Sequence, residues 1–258
     1  MKERLVEIET GDGRMETFVT HPEQDGPFPA VVLYMDVWGI REELYDLARR
    51  IATAGYYCLL PDLYYRQGKV RSTYINDQGE RISLNRLSKA DQDKVLIPLS
   101  KLSDRMVVED TGAIVRFLDQ GGEPVKRGGI GSVGYCMGGR HVVQVAVNFP
   151  ERFIAGASLH GTALVSDRPD SPHTSLAKIR GELYCGFAEF DEHAPLPMVA
   201  QFNELMKASP ARYTHQIHKG AEHGYALPDR DIYHKQATER DWELIFAMFH
   251  RQIPPYSR

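Results

Sequence analysis

The chain has 258 residues, enough for one large core, and its 31 basic and 35 acidic residues leave a net charge of −4. Because these charges are spread along the chain, the composition argues against nucleic acid or an anionic membrane as a partner. The charged N-terminus and the lack of an apolar run of about 18 residues predict neither an export signal nor a membrane span. Three cysteines without metal-type C-x-x-C spacing indicate reduced thiols and a cytoplasmic protein.

The chain is predicted to begin with an antiparallel hairpin. Strands Leu5–Glu9 and Met15–Thr20 flank Gly11-Asp12-Gly13, where glycine can supply the positive φ of a tight turn. Short apolar strands then alternate with longer segments of helical periodicity. Further strands are predicted at Ala30–Met35, Tyr57–Leu60, Gly129–Gly134, Phe153–Leu159, Gly181–Ala188 and Arg212–His218, and helices near Glu42–Ala54, Ser103–Leu118, Met137–Phe149, Leu196–Ala208 and Asp231–His250.

The alternation of strands and helices predicts the fold class. Strands that are apolar throughout and separated by helices are typical of a mostly parallel sheet with helices on both faces. Such sheets bind ligands at the carboxyl ends of their strands. The polar segment 64–102 interrupts the pattern, either as a lid over that end or as an ordinary helical excursion. We expect a single α/β domain over residues 1–258 that includes this excursion.

The segment Gly134-Tyr135-Cys136-Met137-Gly138-Gly139 places a cysteine between a predicted strand and a predicted helix. A sharp turn that presents a nucleophile there needs small residues two before and two after it, because the crossing helix leaves no room for side chains. Gly134 and Gly138 meet this requirement. Since a free cysteine is more often an inert buried hydrophobe, the hypothesis that Cys136 is a nucleophile depends on a base and an acid elsewhere.

A histidine suited to be the general base follows the last predicted strand. His223 lies in the loop Lys219-Gly220-Ala221-Glu222-His223-Gly224, at the same end of the sheet as Cys136. Three other histidines also lie at or beyond predicted strand ends: His160, His193 and His218. We assign the base to His223 by its position.

The carboxylate that would orient this base follows strand Gly181–Ala188. Asp191 is our choice, and Glu189 and Glu222 remain alternatives. The resulting order of nucleophile, acid and histidine is that of the α/β-hydrolase fold. An oxyanion formed at Cys136 would be stabilised by the backbone N–H of Met137 and, from the loop after an early strand, that of Val37.

Together these features resemble the dienelactone hydrolase family, with a match from about Ala30 to His250. The resemblance implies hydrolysis of a small lactone or ester through a thioester on the cysteine, with no metal or organic cofactor. It is carried by the loop Asp36-Val37-Trp38-Gly39-Ile40, the turn Pro61-Asp62-Leu63-Tyr64, the segment Gly134–Gly139, Asp191 and His223.

The chain departs from the family at two positions. The position matched to Asp36 is a glutamate in the well-known members and holds their resting thiol, so Asp36 is either a shorter thiol partner or a charge that stabilises its loop. Those members also carry a substrate-binding arginine four residues after the histidine, where this chain has Leu227. The arginines that could replace it are Arg66, Arg81 and Arg140, and the sequence does not rank them.

Two alternative functions stay open at this level. The protein could hydrolyse another class of substrate, as a carboxylesterase or thioesterase. It could also be a catalytically silent scaffold that binds a small molecule or senses oxidants through Cys136. An ester panel separates these functions, because only an enzyme turns substrates over.

Overall fold

A computed structural model describes residues 1–24, 26–72 and 74–255. Over these residues, eight strands form one sheet in the order β1-β2-β4-β3-β5-β6-β7-β8. The strands are β1 Lys2–Thr10, β2 Gly13–His21, β3 Ala30–Tyr34, β4 Tyr57–Pro61, β5 Ile130–Tyr135, β6 Phe153–Leu159, β7 Glu182–Phe190 and β8 Arg212–Glu222. All the predicted strands are present, and β8 continues beyond its predicted end because it keeps pairing with β7.

The strand directions confirm the predicted hairpin and the mostly parallel sheet. Strand β2 is antiparallel to both β1 and β4. The remaining neighbours pair in parallel from β4 through β3 to β8. The residues of β3, β4 and β5 are all buried, as expected for strands covered on both faces.

Six α-helices lie within the described ranges: α1 Glu42–Thr53, α2 Lys89–Ser100, α3 Asp104–Asp119, α4 Met137–Asn148, α5 Leu196–Met206 and α6 Lys235–Gln252. Helix α1 shows why the sequence predicts them, because Leu44, Leu47, Ala48 and Ile51 recur on one face and are all buried. The five predicted helices are present. Helix α2 lies inside the segment 64–102, where no helix bounds were predicted.

The helices cover both faces of the sheet. A side chain added at Gly131 would meet Phe249 of α6, whereas one added at Gly134 would meet the backbone of α4 at Gly138. Residues an odd number of positions apart on a strand point to opposite faces, so α4 and α6 lie on opposite sides of β5. None of the helices within the described ranges is both long and apolar enough to cross a membrane.

Residues 64–102, which we call the cover segment, lie over the carboxyl ends of the strands. Residue 73 within it is outside the described residues. Of helix α2 only Val95 is buried, and it packs in a small apolar cluster with Val37 and Trp38 of the loop after β3. The cover segment therefore contacts the loop that was predicted to supply an oxyanion donor.

Hydrogen bonds and ion pairs attach the cover segment to the loop after β8. The backbone N–H of Arg81 donates to the Asp229 carbonyl at 2.8 Å, and the Asp231 N–H donates to the Arg81 carbonyl at 3.1 Å. The Arg86 guanidinium pairs with Asp231 at 3.0 Å and with Glu222 at 2.8 Å. This position over the strand ends is that of a lid, and movement as a lid stays a prediction.

Candidate active site

Cys136 lies in a sharp turn between β5 and α4. Its backbone has φ 58° and ψ −117°, a strained conformation for a residue with a side chain. A Cβ at Gly134 would lie 2.1 Å from the carbonyl oxygen of Gly138, and a Cβ at Gly138 would lie 2.4 Å from that of Tyr34. Both glycines are therefore required by close backbone contact, which is the reason that the sequence analysis gave for them.

His223 and Asp191 meet at the ends of β8 and β7. The Nδ1–H of His223 donates to Asp191 Oδ2 at 2.7 Å. The other carboxylate oxygen accepts the backbone N–H groups of His193 and Ala194, both at 2.8 Å. These bonds fix the orientation of the Asp191 carboxylate, with Oδ2 facing the imidazole.

The two alternative carboxylates are engaged elsewhere. Glu189 accepts the backbone N–H of Gly220 at 2.7 Å. Glu222 accepts a hydrogen bond from Arg86 at 2.8 Å. Of the three candidate carboxylates, Asp191 is the one that contacts His223.

The imidazole of His223 also hydrogen-bonds to the side chain of Cys136. Burial alone would lower the pKa of His223. The negative charge of Cys136 and the hydrogen bonds to Asp191 and Cys136 outweigh burial and raise this pKa to about 10. The structure thus brings the three predicted residues together, with His223 between Asp191 and Cys136.

Two backbone amides at the same end of the sheet have no hydrogen-bond partner among the residues that the structure describes. Neither the Val37 N–H nor the Met137 N–H donates a hydrogen bond to any described residue. The Tyr64 hydroxyl links their two segments, because it donates to the Val37 carbonyl at 3.2 Å and lies 3.5 Å from the Met137 sulfur. Both predicted oxyanion donors are therefore free to bind an oxyanion. Met137 follows Cys136 directly, and Val37 lies in the loop after β3.

Asp36 stabilises the loop that carries Val37. Its Oδ1 accepts Arg41 Nη1 at 2.7 Å and the Trp38 N–H at 3.1 Å, and its Oδ2 accepts Arg41 Nη2 at 3.0 Å. Arg41 in turn pairs with Asp229 at 2.6 Å. No hydrogen bond between Asp36 and Cys136 occurs among the described residues, so the role of Asp36 as a thiol partner stays a prediction.

The other three candidate histidines do not occupy the position of the base. His218 pairs with the buried Asp241 at 2.6 Å, away from Cys136. His193 and His160 lie edge-on to the His223 ring, with ring centroids 4.8 and 4.9 Å away. His160 also accepts a hydrogen bond from the backbone N–H of Cys136, which sequence reasoning did not anticipate.

A cavity of about 530 Å³ opens above these groups. Cys136, His160 and His223 line its floor, and the cover segment contributes apolar side chains such as Leu96 and Leu99. Among the residues described, no cluster of three or more histidine, cysteine, aspartate or glutamate side chains is placed to ligate a metal. The cavity has the size and apolar lining of a small-molecule site.

Arg230 is a cavity residue that the sequence analysis missed. It is 4% exposed, and its guanidinium stacks 4.6 Å from the Trp38 ring centroid. Its side chain donates no hydrogen bond within the described residues. Burial and the nearby Arg41 lower the pKa of Arg230 to about 10.

The three arginines considered from sequence are all paired. Arg66 pairs with Asp110 at 2.8 Å, Arg81 with Asp229 at 3.1 Å and Arg140 with Asp104 at 3.0 Å. Arg230 was hidden by its sequence context, because the flanking Asp229 and Asp231 suggest local ion pairs. In the structure those aspartates pair with other arginines instead.

Comparison with known proteins shows which family the sequence matches. A sequence model described as the "Dienelactone hydrolase family" matches residues 15–253. A "Putative carboxymethylenebutenolidase" of Methylorubrum extorquens is 27% identical over 248 residues, which cover 95% of this chain and 79% of that protein. A "Probable 2-oxo-3-(5-oxofuran-2-ylidene)propanoate lactonase" of Bradyrhizobium sp. is 26% identical and covers 95% of this chain and 93% of that protein.

Solved structures agree on the fold. The crystal structure of a "Putative Dienelactone Hydrolase" from Klebsiella pneumoniae superposes with a TM-score of 0.81 at 22% identity, over 97% of this chain and 98% of that one. A likeness at this identity shows the fold alone, whereas the family match extends over most of the sequence. By that match the chain belongs to the dienelactone hydrolase family.

Proposed function

We propose that this protein hydrolyses small lactones or esters through a thioester intermediate on Cys136. The observation that carries the proposal is the contact of Cys136, His223 and Asp191 at the floor of the cavity. The lactone-directed names of the curated relatives give the same bond type. A binding protein would need a cavity but not this arrangement of nucleophile, base and acid.

The first half-reaction uses the charged state of the site. The Cys136 thiolate attacks the carbonyl carbon, and the N–H groups of Met137 and Val37 stabilise the oxyanion. When the tetrahedral intermediate collapses, the C–O bond to the leaving group breaks and the His223 imidazolium protonates the alkoxide. The product is a thioester and a neutral imidazole.

The second half-reaction follows from the change in charge. The thiolate is consumed in the thioester, so the charge and the hydrogen bond of Cys136 no longer raise the pKa of His223. The imidazole, still oriented by Asp191, can now take a proton from water, which attacks the thioester carbonyl. Release of the acid restores the thiolate and the imidazolium. Because a thiolate displaces amines poorly, esters and enol-lactones are better substrates than amides.

The spare guanidinium of Arg230 favours substrates that also carry a carboxylate. Arg230 is buried, lines the cavity and has no anionic partner by hydrogen bond among described residues. A buried cation without a hydrogen-bonded counter-ion is costly, and a carboxylate in the cavity would offset that cost. Arg230 would thus take over the task expected of an arginine at the position of Leu227.

Replacement of the proposed nucleophile tests the function directly. Cys136→Ala should abolish hydrolysis of p-nitrophenyl acetate, a lactone and an acyl thioester, and comparison of the three rates should identify the preferred class. Iodoacetamide should alkylate the native protein once, at Cys136, because Cys58 and Cys185 are buried. Hydrolysis at the wild-type rate by Cys136→Ala would refute the mechanism. Binding without turnover by the wild type would favour the silent scaffold.

The pH dependence tests the role of His223 as the acid. The imidazolium loses its proton as the pH rises through about 10, the raised pKa of His223. The acylation rate of an alkyl ester should therefore fall through that pH, because its alkoxide needs a proton. A p-nitrophenyl ester should not show this fall, since its leaving group is stable as an anion. Equal alkaline losses in kcat/KM for both esters would contradict this assignment.

A further inference from the structure

His160 follows β6 and is held tightly beneath Cys136. The residue is fully buried and has a positive φ of 37°. Its backbone N–H donates to the Gly186 carbonyl at 2.7 Å, which ties it to β7. A residue other than glycine keeps such a conformation only where its surroundings determine it, so the position of this imidazole is strongly constrained.

The imidazole contacts the backbone of Cys136. Its Nδ1 lies 3.1 Å from the Cys136 nitrogen, and the same N–H also reaches the Leu159 carbonyl at 3.1 Å. A backbone N–H can only donate, so Nδ1 of His160 must be the unprotonated nitrogen and Nε2 must carry the hydrogen. The Nε2 atom is buried with no hydrogen-bond partner among described residues.

The surroundings keep this ring uncharged. Burial first, and then the positive charges of His223 and Arg230, lower the pKa of His160 well below its usual value. The other titratable groups packed against it are the phenols of Tyr135 and Tyr225. In a protonated ring Nδ1 would also carry a hydrogen, and it could not accept the Cys136 N–H. The contact therefore exists only with the neutral imidazole.

The His160 ring also packs against the ring of His223. The two ring centroids are 4.9 Å apart with an interplanar angle of 73°. Behind His160, the ring of Tyr225 packs edge-on at 5.5 Å, and its hydroxyl donates to the buried Asp241 at 2.6 Å. One side chain thus touches the backbone of Cys136 and a face of His223 at the same time.

We propose that His160 is a positioning residue, which holds the strained backbone of Cys136 and the ring of His223 so that the thiolate and imidazolium face each other. The inference rests on the proposed function, since it assigns a task in that reaction. His160 itself exchanges no proton and touches no reacting atom. It acts through the two groups that do.

Three variants separate positioning from bulk packing. Asn at position 160 can place its amide oxygen near the former Nδ1 and accept the Cys136 N–H. Leu fills a similar volume without an acceptor, and Gln places its amide where Nε2 was, away from that N–H. His160→Leu and His160→Gln should lower kcat/KM roughly 10- to 100-fold, mainly through kcat, whereas His160→Asn should recover most of the rate.

The pH dependence of Cys136 alkylation by iodoacetamide is the readout that a packing role would not change. If His223 is no longer aligned, the Cys136 thiolate loses its cationic partner. The midpoint, the pH at which alkylation is half-maximal, should then rise in His160→Leu and His160→Gln but not in His160→Asn. His21→Asn is the matched control. It removes a different buried histidine, stacked on Tyr57, and should lower the Tm without moving the midpoint.

The outcomes distinguish this inference from the proposed function. If the Leu and Gln variants keep the wild-type kcat and midpoint, or if Asn is as impaired as Leu, the positioning role is wrong. If Leu fails to fold, the Gln and Asn pair still decides between the two roles. Hydrolysis retained by Cys136→Ala would overturn the proposed function, whatever the result at position 160.

Discussion

The turn at Cys136 and the cover segment border the same cavity but are held by different forces. At the turn, Gly134 and Gly138 let backbone atoms pack so closely that no side chain fits. The cover segment buries only Val95 of helix α2 and is attached partly by Arg86, which is 43% exposed. Close packing does not respond to salt, whereas half-exposed ion pairs do. We infer that the turn keeps the reacting groups in a fixed geometry, whereas the cover segment controls substrate entry and binding.

The largest expected effect tests the rigid region. Asp191→Asn keeps the shape of the side chain but removes the charge that orients His223 through a 2.7 Å hydrogen bond. We expect kcat to fall about 10³- to 10⁴-fold, as in other triads that lose their acid. Glu189→Gln and Glu222→Gln are the matched controls, and steady-state kinetics should show changes of about fivefold or less. A larger loss in either control would reassign the acid.

The second test adds one methyl group to the turn. The Cβ of Gly134→Ala would lie 2.1 Å from the Gly138 carbonyl oxygen, so α4 must move. We expect a loss in kcat of at least about 10²-fold and a Tm lower by about 5 °C or more. Gly11→Ala is the control, because its Cβ meets nothing within 4 Å. If Gly134→Ala resembles this control, the turn is less rigid than we infer.

A smaller and more selective effect is expected at Arg230, which is proposed to bind a carboxylate of the substrate. Arg230→Met should raise KM about 10- to 100-fold for an ester with a free carboxylate and leave its neutral amide analogue nearly unchanged. Arg50→Met is matched to it, because Arg50 also stacks on a tryptophan, Trp242 at 4.7 Å, but pairs with Glu239 outside the cavity. An equal rise for both substrates would show that Arg230 acts through packing on Trp38.

The smallest effect belongs to the cover segment itself. Arg86→Ala removes the pairs with Asp231 and Glu222, and such half-exposed pairs contribute about 1 kcal/mol or less. We expect a change in KM of about fivefold or less with kcat unchanged. Wild-type protein in about 1 M NaCl should behave similarly, since the screening length there is about 3 Å. A fall in kcat comparable to that of Gly134→Ala would remove the distinction between the two regions.

The sequence predicted the parts of this protein that depend on local rules. Within the described ranges, the strands and all but one of the α-helices follow from hydrophobic periodicity, and the glycine pattern around Cys136 follows from sterics that act within a few residues. The bounds of helix α2 were not predicted because its apolar residues lie mostly in one run, at positions 95–99, and do not recur on one helical face. Asp191 was chosen by its place after a strand, and Glu189 and Glu222 could not be separated from it by spacing.

The tertiary structure decided which charged groups have partners. Sequence alone determined the fold class, the family and the candidate residues Cys136 and His223, because those depend on periodicity, chain order and local geometry. Only the folded chain showed that Asp36 is paired with Arg41, that Arg230 has no hydrogen-bonded partner within the described part of the chain, and that His160 accepts a hydrogen bond from the Cys136 N–H. Such contacts join residues far apart in sequence, and their energy depends on burial and distance, which no local pattern records.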